Sequence, residues 1–221
     1  MKKPLVIFGT GDIAQLAHFY FSTDSVYAVV AFTADAAYIT SNEFCGLPVV
    51  PFGEVENRFP RDTHEIFVAL SYSKLNQVRK EKYFAAKALG YRLASYVSSH
   101  ATVLNDGRIG ENCFILEDNT IQPFVTIGNN VTLWSGNHVG HHSTVHDHCF
   151  IASHVVISGG VGIGESCFIG VNATLRDHIN VGERCVIGAG VLLLADAAPE
   201  GVYIGTATER SRVPSTKLRT I

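Results

Sequence analysis

From Val97 onward an aliphatic residue recurs at every sixth position: Val97, Val103, Ile109, Ile115, Ile121, Ile127, Leu133, Val139, Val145, Ile151, Ile157, Ile163, Ile169, Leu175, Val181, Ile187 and Leu193. Seventeen consecutive hits are not chance, and seven are followed directly by glycine: Gly110, Gly128, Gly140, Gly164, Gly170, Gly182 and Gly188. A period of six is neither the helical stripe nor the alternation of a lone strand. It predicts a parallel β-helix, with three short strands to each coil of 18 residues and equivalent positions stacked roughly 4.8 Å apart. Glycine or a small polar residue is expected at each corner, where backbone angles are tight. Between Val97 and about Pro199 there is room for five to six coils, and no hexad is interrupted. Cys113, Cys149, Cys167 and Cys185 each lie four residues after an anchor, so they are expected to stack in one buried column. Without a C-x-x-C or convergent ligands, such thiols behave as small hydrophobes rather than as a metal site.

Residues 1–96 carry a different pattern. An apolar run, Leu5 to Phe8, reads as a buried strand and meets Gly9-Thr10-Gly11-Asp12-Ile13-Ala14, which opens an apolar helical segment reaching about Phe21. This is the G-x-G-x-x-A phosphate-binding turn in its strand–turn–helix context. A second strand, Val26 to Phe32, ends near Asp35, whose carboxylate can accept hydrogen bonds from a ribose. A third, Ile66 to Leu70, ends at Ser71. Ser73 is placed as the cap of a helix carrying Leu75, Val78, Phe84, Ala85 and Leu89 and closed by Gly90. The strand ends would form a crevice at Gly9, Asp35 and Ser71, with Gly11 and Asp12 beside it, fit for a nucleotide or nucleotide sugar. A complete dinucleotide dehydrogenase needs two such halves, so NAD is a poor reading. The expected organisation is an α/β half-Rossmann unit over residues 1–96, a β-helix over 97–205 and a tail over 206–221.

Charge narrows the choice further. The net charge is −3, and between Val97 and Gly205 there is no lysine and only Arg108, Arg176 and Arg184 against ten acids. That excludes a phosphate-backbone binder, which needs a basic stripe. The apolar run after Lys2-Lys3-Pro4 stops at Gly9, too short for a signal peptide, and no stretch approaches the ~18 apolar residues of a membrane span. The expectation is a cytoplasmic protein, its five cysteines unpaired.

An α/β unit followed by unbroken hexads resembles the NeuD/PglD-like family of sugar acetyltransferases. The resemblance covers the whole chain. It is carried by Val6 to Ala14, Gly46-Leu47-Pro48-Val49, Gly90-Tyr91, Ser99-His100-Ala101, the run from Trp134 to His142, Ile157 to Gly160, and Gly201 to Gly205. It implies left-handed coils, a homotrimer and acetyl-CoA lying between neighbouring prisms. Its activity would be transfer of acetyl to a nucleotide-linked amino sugar for surface glycan, O-antigen or lipopolysaccharide synthesis.

By position, two residues after Val139, the resemblance makes His141 the catalytic histidine. A base with pKa near neutrality suits removal of a proton from an attacking amine, and a backbone N–H of the next coil would hold the oxyanion. Some members have glutamate directly after that histidine, where this chain has His142. Support for His141 is therefore left to His142, to Asp147 or to a backbone carbonyl. Phe150 stands where some members carry a histidine near the thioester. These departures point to the branch acting on perosamine-like 4-amino-4,6-dideoxy sugars. Asn137 and His138 are candidates for contacts to the sugar. For acetyl-CoA the resemblance indicates Gly159, Val171, Asn172, Ala189, Gly190, Gly205 and Thr206. Thr206-Ala207 replaces the family's proline-alanine, and Arg210, Arg212, Lys217 and Arg219 of the tail are either solvated or near CoA phosphates.

Three rival readings are open. A γ-carbonic-anhydrase-like zinc site would use His141 and His146 but needs a third histidine where Asn105 stands, so no metal is expected. A sugar or sialic acid O-acetyltransferase stays within the same family. A non-catalytic sugar-nucleotide-binding protein is the third.

Overall fold

In the computed structural model, residues 2–217 are described. The N-terminal part is built from β1 (Lys3–Phe8), α1 (Asp12–Thr23), β2 (Tyr27–Ala34), β3 (Glu43–Phe44), β4 (Leu47–Pro51), α2 (Val55–Arg58), β5 (Glu65–Val68) and α3 (Gln77–Ala88). Its sheet runs β3-β4-β2-β1-β5, parallel except for the short edge strand β3. Both faces are covered, as an all-parallel core requires. Ala14, Ala17 and Phe21 of α1 pack with Leu5, Ile7 and Phe67 on one side. Tyr83 and Ala86 of α3 pack with Val6, Ile66 and Val68 on the other.

The helix capped at Ser73 is not found. Lys74, Leu75 and Asn76 instead form a left-handed turn with φ of 50°, 51° and 66°, and α3 starts only at Gln77. Apolar spacing locates a helical face, but it does not register a turn fixed by contacts with distant coils. Gly90 closes the helix as expected, at φ +84°.

The coils begin with Tyr96–Val97, which pairs with Phe114–Ile115. Two-residue parallel strands then repeat through Val202–Tyr203 and stack into three sheets. The first face carries the anchors Ile115, Leu133, Ile151, Ile169 and Ile187; the second, Ile121, Val139, Ile157, Leu175 and Leu193; the third, Ile127, Val145, Ile163 and Val181. The anchors fill the prism together with the cysteine column. Each column thiol donates to a carbonyl across the prism, as Cys167 does to Gly182 at 3.1 Å. The architecture is an α/β unit joined to a left-handed parallel β-helix.

The corners meet the expectation of glycine or a small polar residue in part, with histidine, phenylalanine and arginine as the departures. Every sixth residue from Asn112 to Gly190 has positive φ, yet glycine occupies only positions 136, 160 and 190 of that series; Asn, Asp, His, Ser, Phe and Arg fill the rest. Those left-handed corners lie three residues after each anchor. The glycines directly after the anchors serve a different purpose, which is close approach of the next coil. A Cβ at Gly140 would sit 2.6 Å from backbone atoms of Ser158 and Gly159.

The α/β unit straddles the first face, with α1 along one edge and α3 along the other. Tyr20 of α1 donates to Glu117 at 2.9 Å, and Arg79 of α3 reaches Asn130, His148 and Cys149. Among the described residues, no helix is long and apolar enough to cross a membrane.

Candidate active site

The β1–α1 turn forms because Gly9 takes φ +127°, where an added Cβ would lie 2.7 Å from the Ala69 carbonyl oxygen. Gly11 caps α1 with no side-chain hydrogen bond and open space around its Cα, so the first amides of the helix face outward. The ends of β2, β1 and β5 are neighbours in the sheet, which brings Asp35, Gly9 and Ser71 to one rim. Asp35 is already engaged there, its carboxylate 2.7 Å from Lys82 Nζ.

Between this rim and the first face lies a cavity of about 550 Å³. Asp12, Ser71 and Ser153 supply its polar groups, and Tyr72, Trp134, Phe150 and Phe168 most of its apolar wall. The Tyr72 ring stands 4.9 Å from Phe150 and 4.7 Å from Phe168, which stack on each other at 5.8 Å. Trp134 Nε1 is buried without a hydrogen-bond partner. Sequence reasoning passed over this aromatic wall. The signal was present: Phe150 and Phe168 are 18 residues apart and each precedes an anchor, which turns both outward on one face.

His141 occupies the corner after the second face and is exposed. Its N–H donates to Gln122 Oε1 at 2.9 Å, and the Gly160 N–H donates to its carbonyl at 2.8 Å. The imidazole lies against the next coil at Gly159, where a Cβ would meet Cε1 at 2.6 Å and Nε2 at 2.8 Å. An added Cβ at that position would push the ring out of this orientation. Nδ1 of His141 is 3.1 Å from Nδ1 of His142, so one nitrogen donates and the other accepts. With His141 as donor, its Nε2 keeps a free lone pair for an incoming proton. Asp147 is not the orienting partner: it accepts from the Asn129 N–H at 2.7 Å and from Nδ2 at 3.1 Å, at the corner after the third face.

Other expected residues fall into two groups. Asn137 is buried, with Nδ2 on the Trp134 carbonyl and Oδ1 accepting from the Val155 N–H at 2.8 Å, so both amide atoms bind backbone and neither faces a ligand. This corrects its placement at the sugar; four residues after an anchor points inward, as for the cysteines. His138 sits outward on the second face, between Thr120 and Val156. Val171, Asn172, Ala189, Gly190, Gly205 and the exposed Thr206 follow the first face along one edge of the prism, in line with Ser153 of the cavity. Gly159 alone of the expected acetyl-CoA residues lies beside His141. One chain therefore presents the cavity and this edge on one side of the second face and the histidine on the other. Arg210, Arg212 and Lys217 are exposed, and Arg219 lies outside the described residues. Asn105, where a zinc site would need its third histidine, is buried and donates to the carbonyls of Arg108 and Val125.

The family model for the bacterial transferase hexapeptide (six repeats) matches residues 106–141 and 125–159, and that for the hexapeptide repeat of succinyl-transferase matches 160–195. No curated protein sequence matches the chain. Among solved structures, a histidine-to-asparagine mutant of perosamine N-acetyltransferase from Caulobacter crescentus, in complex with CoA and GDP-perosamine, aligns with a TM-score of 0.82. It is 23% identical, over 91% of this chain and 93% of that one. The acetyltransferase domain of PglB from Neisseria gonorrhoeae FA1090 is 25% identical, with a TM-score of 0.64, over 92% and 97%. WeeI from Acinetobacter baumannii AYE is 18% identical, with a TM-score of 0.78, again over 92% and 97%. The likeness spans both parts of the chain. The resemblance to the NeuD/PglD-like sugar acetyltransferases thus holds for the fold and for the order of its parts.

Proposed function

We propose that this chain, built on the NeuD/PglD-like plan, is an acetyl-CoA-dependent N-acetyltransferase. Its acceptor would be the amino group of a nucleotide-linked 4-amino-4,6-dideoxy sugar used in surface glycan synthesis. The observation that carries the reading is His141 on an open corner, its ring seated on Gly159 and its Nδ1 held by His142. A structural neighbour bound to CoA and GDP-perosamine, and PglB bound to acetyl coenzyme A, support the two ligands.

The sugar amine attacks the thioester carbonyl carbon and forms the C–N bond, while His141 Nε2 takes the proton that the nitrogen must lose. A backbone N–H holds the oxyanion. Collapse breaks the C–S bond, and the imidazolium returns its proton to the departing CoA thiolate. The nucleotide rests at the Gly9–Gly11 turn with Asp12, Asp35 and Ser71, and the pantetheine arm lies along Val171, Asn172, Ala189, Gly190, Gly205 and Thr206. His138 flanks the acceptor.

Because the cavity edge and His141 flank opposite sides of the second face, the working site joins two copies. A closed homotrimer around that face meets the requirement. Its outward side chains include Val156 and Leu192, with Leu194 beside them, all exposed in the single chain and suited to burial by a partner.

The test is thiol release from acetyl-CoA with UDP-, GDP- and dTDP-linked 3-amino and 4-amino sugars, with hydroxyl-only sugar nucleotides and sialic acid alongside. Turnover on one 4-amino-6-deoxy sugar nucleotide is the expected result. Turnover on a hydroxyl acceptor alone would replace the reading with O-acetylation, and binding without turnover would replace it with a sugar-nucleotide-binding role.

A further inference from the structure

Arg79 is 1% exposed, and none of the carboxylates of the described residues pairs with its guanidinium. Burial lowers its pKa to about 10, so it stays charged at neutral pH. Its acceptors are oxygens from two parts of the molecule. Nη1 donates to the carbonyl and, at 3.0 Å, to Oδ1 of Asn130. Nη2 donates to Asn76 Oδ1 at 2.9 Å and to the carbonyls of His148 and Cys149 at 3.0 and 3.2 Å. Asn76 in turn donates to the Cys167 carbonyl at 3.1 Å, and its own N–H donates to the Tyr72 carbonyl at 3.1 Å. Between Tyr72 and α3 run the three left-handed residues Lys74, Leu75 and Asn76, none of them glycine.

A buried cation without a counter-ion and three consecutive strained residues are both costly, and such strain persists only where the surroundings over-determine it. Here they meet at one turn, and that turn delivers Ser71 and Tyr72 to the cavity. We infer that Arg79 is a positioning residue: through Asn76 it buckles the Tyr72–Asn76 turn onto the coils and so sets Ser71 and Tyr72 for the sugar nucleotide. The inference rests on the functional reading above for the ligand it names, but the buckle itself is a statement about conformation.

The experiment compares wild type with Arg79→Lys, Arg79→Met and Asn76→Gly, the last keeping a left-handed backbone accessible while deleting the amide. Hydrogen exchange is followed along the whole chain. GDP, UDP and dTDP are titrated against the fluorescence of Trp134, the chain's single tryptophan, and KM is measured for each substrate. The expected result is faster exchange confined to residues 71–76. With it, the affinity for the responding nucleotide and for the acceptor should fall on the order of tenfold, with KM for acetyl-CoA unchanged. Exchange at 71–76 that stays at wild-type rates, or that rises equally throughout the chain, overturns the inference; so do KM values that rise together for both substrates. A wild-type chain that acetylates no acceptor would remove the functional reading instead, and the exchange pattern would still decide for or against the buckle.

Discussion

The two parts of this chain use left-handed backbone for opposite purposes. In the α/β unit it occurs at isolated places, such as Gly9, Gly90 and the Lys74–Asn76 turn, each held by contacts made nowhere else. In the β-helix it recurs at every corner, and coils above and below hold each one by the same ladder. Asn, Asp and His tolerate this region best among residues with a Cβ, which is why His142, His148, His154 and His178 all stand at corners. The repeat therefore explains four of its eight histidines as conformational. His141, like His100, His138 and His146, stands outside the left-handed series; what distinguishes it is the ring seated against Gly159 of the next coil.

The largest expected effect is His141→Ala, which should lower turnover by ~10²–10⁴-fold, the worth of a general base, with acetyl-CoA affinity retained. Steady-state rates together with calorimetric titration of acetyl-CoA would check it. Unchanged turnover would remove His141 from the chemistry and direct attention to His138 or His142.

His148 shows what burial does to a corner histidine. Its ring packs against Tyr83 and Phe84 at 5.3 and 5.4 Å, under α3. Desolvation, reinforced by nearby Lys80, lowers its pKa from 6.5 to about 4. The folded state thus prefers the neutral ring, and the unfolded chain protonates first as pH falls. The corresponding stability is complete above pH ~6.5 and is lost between there and pH ~4, up to roughly 3 kcal/mol. Urea unfolding at pH 7 and pH 4.5 should show a smaller drop for His148→Asn than for wild type. An identical drop in both would mean that His148 is not the group responsible.

How much of this was legible beforehand follows the same division. The hexads gave the prism and the inward cysteines, because one register repeats and every error in it would be visible, whereas the choice of His141 among the histidines came from the family resemblance. The register also holds the reason Asn137 does not reach a ligand, since it shares the inward position of the cysteines. In the α/β unit the strand ends and the Gly9 turn were readable from local pattern. The turn before α3 was not, since Arg79 and Asn76 find their partners between 51 and 91 residues away. The Asp147–Asn129 contact, by contrast, spans 18 residues and lies within the stacking register itself.

Glycine offers a sharper test of the division. Gly140→Ala places a Cβ 2.6 Å from the backbone of the next coil, which cannot move without disturbing the ladder. Overpacking of that kind costs roughly 1–3 kcal/mol. Gly11→Ala meets nothing within 4 Å and should change stability by less than about 0.5 kcal/mol, its effect falling on nucleotide affinity instead. Thermal unfolding and nucleotide titration of both variants would separate the two roles. A large loss of stability in Gly11→Ala would make that turn structural rather than ligand-binding.

The finest distinction concerns His142, which belongs to both accounts. Its φ of +60° makes it a corner, and its Nδ1 lies 3.1 Å from that of His141. Asparagine tolerates the same backbone, so His142→Asn should keep the fold while removing the imidazole. Valine resists that conformation, and His142→Val should cost roughly 1–2 kcal/mol. If His142 serves mainly the corner, the asparagine variant keeps nearly wild-type turnover and only the valine variant unfolds earlier. If it also holds the His141 tautomer, His142→Asn lowers turnover at unchanged stability and shifts the pH–rate profile, because the base loses the neighbour that keeps Nε2 free. The pH–rate profile of that one variant, set beside its melting curve, separates a residue placed for its backbone from one placed for its ring.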